Sequence, residues 1–330
     1  MQLPGAMRVL TLLGYLTVLT VTANAGVPPH AAPVVNENLA TQIALDRIGF
    51  SPGEIDGKAG RNLQRAVAAF QRSHQLPATG QMNDETRKQL AAAAGDVPPL
   101  VEYVISDADV AGPFTPTIPA KLPDQAALDS LSYRTPLEEL AERFHSSPAL
   151  LQQLNPEAMF QRAGEHLMVP NVTASSAPTA TPGATGTAGS GPGGDITVVV
   201  TKSTSALTIE DPSGRVLFHA PVTSGSTHDP LPIGTWKVNG VQRNPKFHYN
   251  PELFWDATPG DRKATLQSGP NNPVGVVWID LSKPHYGIHG TPEPSQIGHV
   301  ESHGCVRLTN WDAERVAQWV KPGTKVVFRE

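Results

Sequence analysis

His289-Gly290-Thr291-Pro292-Glu293-Pro294-Ser295-Gln296-Ile297-Gly298-His299-Val300-Glu301-Ser302-His303-Gly304-Cys305-Val306-Arg307-Leu308 contains the single cysteine of a 330-residue chain. Just upstream, His285-Tyr286-Gly287-Ile288-His289 reads as a strand. Alternation then puts His285, Gly287 and His289 on one face and Tyr286 and Ile288 on the other. Cys305 follows His289 by 16 positions, enough chain to fold a thiol back beside an imidazole.

The residue types in this stretch suit nucleophilic chemistry. A thiol near its ordinary pKa is only a few per cent thiolate at neutral pH, and a neighbouring imidazolium lowers that pKa. His289 is the candidate base, and its second ring nitrogen needs an orienting acceptor such as the Gly290 carbonyl. Gly304 allows close approach to a substrate, and the N–H groups of Gly304 and Cys305 are candidate donors to a developing oxyanion. Arg307 suits a substrate carboxylate. Blander readings stand beside these: a lone cysteine packs as a small hydrophobe, His303 as a backbone-bonded structural histidine, and His299 as a loop residue. A zinc site from His289, His299, His303 and Cys305 has suitable spacing, but no carboxylate or second thiol completes an evident ligand pattern.

Working outward, residues 196–330 carry many short apolar runs with turn signals, including Asp211-Pro212-Ser213-Gly214 between two strands. This pattern predicts a mainly-β domain, a sandwich or a barrel. Thr309-x-x-Asp312 predicts a helix start, with Ala313, Val316, Ala317 and Val320 as its apolar stripe. Residues 173–195 contain no large apolar side chain and read as a flexible linker that frees the last domain to search nearby substrate.

Residues 31–95 read as a small all-α unit. Asn36 or Asn38 caps a first helix. Leu63, Ala66, Val67 and Phe70 share one face of a second, and Asn83 or Asp84 caps a third. Residues 98–172 read as a small α+β module. Val101 to Ile105 is a candidate strand in a proline-rich lead-in, and Ser132 to Val172 reads strand, helix, helix, strand.

The first 25 residues resemble an export signal. Arg8 precedes the apolar run Val9 to Val21, which is short for a membrane span, and Ala23-Asn24-Ala25 fits a cleavage site. Met1 and Met7 are both candidate starts, and an uncleaved inner-membrane anchor is the alternative. The expected location is the periplasm or cell wall. In an oxidising compartment an odd thiol is reactive or intermolecular. The net charge is −5 and no polybasic run occurs, which disfavours nucleic acid as a partner.

Three resemblances sharpen this reading. His289-Gly290-Thr291, Ile297-Gly298 and Ser302-His303-Gly304-Cys305-Val306-Arg307-Leu308, with Pro232-x-Gly234 upstream, resemble the YkuD-type L,D-transpeptidase family. Gly49-Phe50, Gly53-x-Ile55-Asp56-Gly57, Ala66-Val67-x-x-Phe70-Gln71, Leu76-x-x-x-Gly80 and Thr86-x-x-x-Leu90 resemble a type 1 peptidoglycan-binding domain. Leu140 to His145, Leu150-Leu151-x-x-Leu154-Asn155-Pro156 and Ala163-Gly164-x-x-Leu167-x-Val169-Pro170 resemble a LysM module. Tyr133-Arg134-Thr135 stands where that last family opens with glycine, aspartate and threonine, so sugar binding and a structural spacer are both open readings.

The first resemblance implies Cys305 as nucleophile, His289 as base and Gly290 as its backbone partner. It also implies that His303 and Gly304 shape the nucleophile loop and that Ser302, Tyr286 and Arg307 meet substrate. The implied reaction is acyl transfer from the third residue of a tetrapeptide stem, with release of D-Ala and no cofactor. The expected partners are peptidoglycan stem peptides and glycan strands. The acceptor is a second stem, giving a 3-3 cross-link, or an amine on a wall-anchored protein, or water in a carboxypeptidase or amidase. A non-catalytic wall-binding scaffold is the alternative of a different class.

Overall fold

The structure, a computed structural model, describes residues 34–172, 195–302 and 304–330. The expected export signal, nearly all of the expected linker and His303 lie outside the described residues. Among the described residues, no helix is long and apolar enough to cross a membrane.

Three helices come first: α1 (Glu37–Arg47), α2 (Arg61–Ser73) and α3 (Asp84–Ala94). Asn36 caps α1 by accepting the Leu39 N–H at 2.8 Å, and Asn83 caps α3 by accepting that of Thr86 at 2.8 Å. Each such cap stabilises a helix by about 1 kcal/mol. Leu63, Ala66, Val67 and Phe70 of α2 are buried against Leu45, Phe50 and Leu90, as the spacing predicts. Gln71 is buried too. Its amide donates to the Gln81 carbonyl at 2.9 Å and accepts the Gly80 N–H at 2.9 Å, which fixes the loop between α2 and α3.

The second module pairs β1 (Leu100–Val104) antiparallel with β2 (His166–Pro170) around α4 (Asp107–Ala111), α5 (Leu122–Gln125), α6 (Pro136–Arg143) and α7 (Pro148–Leu154). The opening strand is therefore the one in the lead-in, and the segment near Ser132 is not a strand. Thr135 caps α6 by accepting the Glu138 N–H. The backbone before it bonds elsewhere: Leu131 donates to the Ser268 carbonyl at 3.1 Å, and its own carbonyl accepts the Asn271 N–H at 2.9 Å.

The last module holds β3 (Thr197–Thr201), β4 (Ala206–Glu210), β5 (Val216–Pro221), β6 (Thr223–Ser224), β7 (Gly234–Arg243), β8 (Phe247–Tyr249), β9 (Ala264–Leu266), β10 (Val277–Leu281), β11 (Gly287–His289), β12 (Val306–Arg307), α8 (Asn310–Trp319) and β13 (Lys325–Arg329). Nine of these strands form one mixed sheet in the order β5-β4-β3-β13-β7-β10-β11-β12-β6, and β8 and β9 pair separately. Helix α8 packs against this sheet. Its Ala313, Val316 and Ala317 and the following Val320 pack with Val277, Ile279, Ile288 and Val306.

The residues described from 34 onward belong to one compact unit. Polar contacts explain the docking. The Ser51 N–H donates to the His219 carbonyl and the His219 N–H to the Gly49 carbonyl, both at 2.9 Å, so the helical module bonds to strand β5 of the large sheet. Ser51 Oγ also donates to Asp312 Oδ2 at 2.8 Å, and Asn310 Nδ2 donates to Glu142 Oε1 at 3.0 Å.

Candidate active site

Strands β11 and β12 run parallel, with Ile288 opposite Val306 and His289 opposite Arg307. Continuing that register puts Cys305 opposite Gly287. Partners in register face the same side, and residues two apart share a face. Cys305, Arg307, Gly287 and His289 thus lie toward one face, while Ile288 and Val306 enter the core. A parallel pairing brings together residues that are distant in the chain, which is why a long crossover loop separates His289 and Cys305.

The alternation does not extend to His285. That residue has φ +66°, and the strand begins only at Gly287. His285 contributes its backbone carbonyl, which lies 3.8 Å from Cys305 Sγ.

His289 is buried, and its Nδ1 sits 2.7 Å from the Gly290 carbonyl oxygen. A carbonyl only accepts, so Nδ1 carries the hydrogen and Nε2 of the neutral ring holds the lone pair. Gly290 is itself fixed by Asn310, whose Oδ1 leaves no room for a Cβ there. Above the imidazole, Trp278 stacks at a centroid distance of 5.4 Å and an interplanar angle of 20°. A Cβ at Gly287 would lie 2.5 Å from the Trp278 ring, so this position needs glycine for close approach. Gly304 has φ +97°, and a Cβ there would lie 2.8 Å from Tyr286 Cε1.

Ser302 bridges Cys305 and Gly225. Its Oγ donates to the Cys305 carbonyl at 2.7 Å and accepts the Gly225 N–H at 2.8 Å. Arg307 is held between β11 and β6, and its Nε is buried without a hydrogen-bond partner among the described residues. It is a donor suited to an incoming acceptor atom.

Burial governs the electrostatics. It pushes the His289 pKa down to about 3, with Arg307 acting in the same direction and the Gly290 bond opposing. It pushes the Cys305 thiol up. The Gly287 backbone and Arg307 act against that shift, and Asp229 adds to it. The resting pair is therefore neutral imidazole and neutral thiol, not the imidazolium and thiolate that adjacency alone suggests. Desolvation disfavours both charged forms.

Sequence reading did not single out Trp278, Asn310, Thr223 or Asp229. Asp229 Oδ2 is buried without a hydrogen-bond partner among the described residues. Its proximity to Cys305 and Tyr286 shows in the rise it causes in both of their pKa values. Among the described residues, no group of three or more His, Cys, Asp or Glu side chains could hold a metal ion, and His303 of the zinc set lies outside those residues.

Residues 195–328 match the family described as the L,D-transpeptidase catalytic domain, YkuD. The chain carries a YkuD-type L,D-transpeptidase domain. Residues 38–90 match the family described as "Putative peptidoglycan binding domain". The chain is 29% identical over 193 residues to "Putative L,D-transpeptidase YkuD" of Bacillus subtilis, a match that covers 58% of this chain and 92% of that protein. It is 50% identical over 60 residues to "Putative L,D-transpeptidase YkuD" of Bacillus licheniformis, covering 18% of this chain and 36% of that protein. Among solved structures it resembles an L,D-transpeptidase from Mycobacterium smegmatis, with 18% identity and a TM-score of 0.34 over 41% of this chain and 59% of that one. The YkuD domain holds β3 to β13 with α8, and the peptidoglycan-binding match spans α1 to α3. The module between them, β1 and β2 with α4 to α7, falls outside both matched ranges.

Proposed function

We propose that this protein is an exported peptidoglycan L,D-transpeptidase in which Cys305 carries the acyl group and His289 moves the proton. The observation that supports this best is the parallel register of β11 and β12. It sets Cys305 and His289 toward one face, with His289 Nδ1 committed to the Gly290 carbonyl and Nε2 left as the basic atom.

The resting thiol and imidazole are neutral, so deprotonation and attack proceed together. Cys305 Sγ–H gives its proton to His289 Nε2 as sulfur bonds to the carbonyl carbon of the stem's third residue, a diaminopimelate. The tetrahedral oxyanion meets the N–H groups of Gly304 and Cys305. The bond to terminal D-Ala breaks, and the imidazolium protonates the leaving amine. The resulting thioester is attacked by an amine of a second stem. The C–N bond forms, the C–S bond breaks, and the amine's proton returns through His289 to sulfur. The product is a 3-3 cross-link. Arg307, with its unpartnered Nε, pairs with a stem carboxylate, and Tyr286 and Ser302 frame the nucleophile loop. The helical module, by its family match, keeps the enzyme on the wall, which raises the local concentration of stems.

The test is incubation with a disaccharide-tetrapeptide, with products identified by mass. D-Ala release and a cross-linked dimer are expected, and both disappear in Cys305→Ala. Release that survives this substitution overturns the assignment, and a tripeptide without dimer identifies water as the acceptor. A carbapenem presents a strained acyl donor, so it is expected to add its mass to the wild-type chain and not to the variant.

A further inference from the structure

The loop from His289 to Cys305 is anchored on two sides. On the sheet side, Thr223 Oγ1 accepts the Gly298 N–H at 3.0 Å, and Ser302 is bonded to Gly225. On the other side the anchor comes from the helical module. Asn62 Nδ2 in the first turn of α2 donates to the Ile297 carbonyl at 2.8 Å. Arg65 Nη1 donates to Asn62 Oδ1 at 2.8 Å and to the Gly298 carbonyl at 3.4 Å. The helical module is thus hydrogen-bonded to the loop that carries the nucleophile.

An open cleft runs along this junction. One wall presents Glu54, Asp56, Lys58 and Arg61, and the other presents Ser295 and His299 of the loop. Two carboxylates and two cations therefore line one groove. Lys58 and Arg61 are exposed, and the Lys58 charge acts on Glu54 from within the groove. Burial, reinforced by Asp56 and opposed by Lys58, raises the Glu54 pKa to about 7. One oxygen of Asp56 is used locally, accepting from Gln42 Nε2 and the Lys58 N–H, both at 2.9 Å. Cys305, Tyr286 and Arg307 do not line the cleft, which meets the site through the loop: Gly298 is bonded to Thr223, the register partner of Arg307.

We propose that this cleft seats the acceptor of the second half-reaction: a short acidic peptide with a free amine. This rests on the reading of Cys305 as acyl carrier. Carboxylates of the peptide pair with Lys58 and Arg61, and its amide N–H groups find Glu54 and Asp56. The loop then leads its amine toward the thioester. There the amine nitrogen bonds to the thioester carbonyl carbon, the C–S bond breaks, and the amine's proton passes through His289 to the departing sulfur. The helical module is then a part of the acyl-transfer site as well as an anchor.

The test uses the full chain, with a disaccharide-tetrapeptide donor and a labelled stem tripeptide acceptor at rising concentration. Carbapenem acylation of Cys305 is measured on every protein to register the state of the thiol. Lys58→Ala with Arg61→Ala is expected to raise the acceptor KM roughly tenfold, since two rim ion pairs of surface strength are lost, with kcat at saturating acceptor retained. Direct binding of the labelled tripeptide to Cys305→Ala protein is expected to weaken by the same factor when these two substitutions are added. Acceptor KM and binding within twofold of wild type, in a variant that carbapenem still acylates, overturn the acceptor cleft. A wild-type chain that carbapenem leaves unmodified overturns the acyl-carrier reading, and the acceptor role falls with it.

Discussion

Asp46 of α1 and Arg315 of α8 form a bidentate buried pair, Nη1 to Oδ1 at 2.9 Å and Nη2 to Oδ2 at 3.0 Å. His145 of the middle module adds its Nδ1 to Asp46 Oδ2 at 2.9 Å and stacks on Trp311 at 5.1 Å. One carboxylate therefore gathers a side chain from each of the other two modules. Arg315 lies on the helix that begins just after the nucleophile strand, so the cluster ties both upstream modules to the end of the site. Burial alone would raise the Asp46 pKa. The charges and hydrogen bonds of Arg315 and His145 more than offset it and hold the carboxyl below the usual range.

Removing one partner of this pair leaves a buried charge unpaired. Arg315→Ala is expected to destabilise the unit by about 3–5 kcal/mol, read as a lower urea midpoint at pH 7. Adding Asp46→Ala is expected to recover part of that loss, because the orphaned carboxylate is then gone. Independent, additive losses would show that the two side chains do not interact.

Two other carboxyls at the module junctions have the opposite sign. Burial raises Glu142 to about 8 and Asp312 to about 7. Their protonated forms are favoured in the folded state. The stability they contribute is present below the ordinary carboxylate range and is lost as pH rises through 7 to 8. Asp46, with its lowered pKa, contributes stability at neutral pH that is lost only in acid. The melting temperature is expected to fall as pH rises from about 5 to 8, with a shallower slope in Glu142→Gln, since a neutral amide has no proton to release. An unchanged slope in that variant removes Glu142 as a cause.

The charges around Cys305 predict opposite effects on its reactivity. Asp229 raises the thiol pKa and Arg307 lowers it. Asp229→Asn is expected to speed alkylation at pH 8 and move the pH–rate midpoint down. Arg307→Ala is expected to move it up. Intact-mass measurement of iodoacetamide addition across pH reads both, and shifts in the reverse directions contradict the assigned electrostatics.

His289 stays neutral far into acid, its pKa pushed down to about 3. The acid limb of carbapenem acylation is therefore expected well below the usual histidine range. His289→Gln is expected to slow acylation by about 10²–10⁴-fold, the usual span for a lost general base. A limb near pH 6.5 in the wild type would show that the ring is more solvated than its burial implies.

Gly287→Ala places a methyl 2.5 Å from the Trp278 ring. The indole must move off His289, at a cost of about 1–3 kcal/mol for overpacking. A changed near-UV circular dichroism spectrum and slower acylation are the expected readouts.

Much of this protein is legible in the chain because the signals are local. Asn36, Asn83 and Thr309 cap their helices by bonds that span three residues. The α2 stripe and the α8 stripe follow helical spacing, and the choice of Gly290 as partner to His289 needs only the next peptide group. The thiol and imidazole are likewise found by composition and order, since the chain has one cysteine.

What the chain leaves open depends on contacts between residues far apart in sequence. The parallel register of β11 with β12 decides that base and thiol share a face, and no local pattern encodes it. The β1 partner is β2, more than sixty residues away, so a nearer apolar stretch is easily mistaken for the first strand. Burial sets the neutral state of His289 and Cys305, and burial is a property of everything packed around them. The docking of Asn62 on the nucleophile loop and of Asp46 on Arg315 joins residues more than two hundred positions apart. The sequence by itself determined the helix caps, the apolar stripes and the place of the single thiol. Only the tertiary structure decided that the modules act as one body, because side chains at complementary positions meet only once each module has folded.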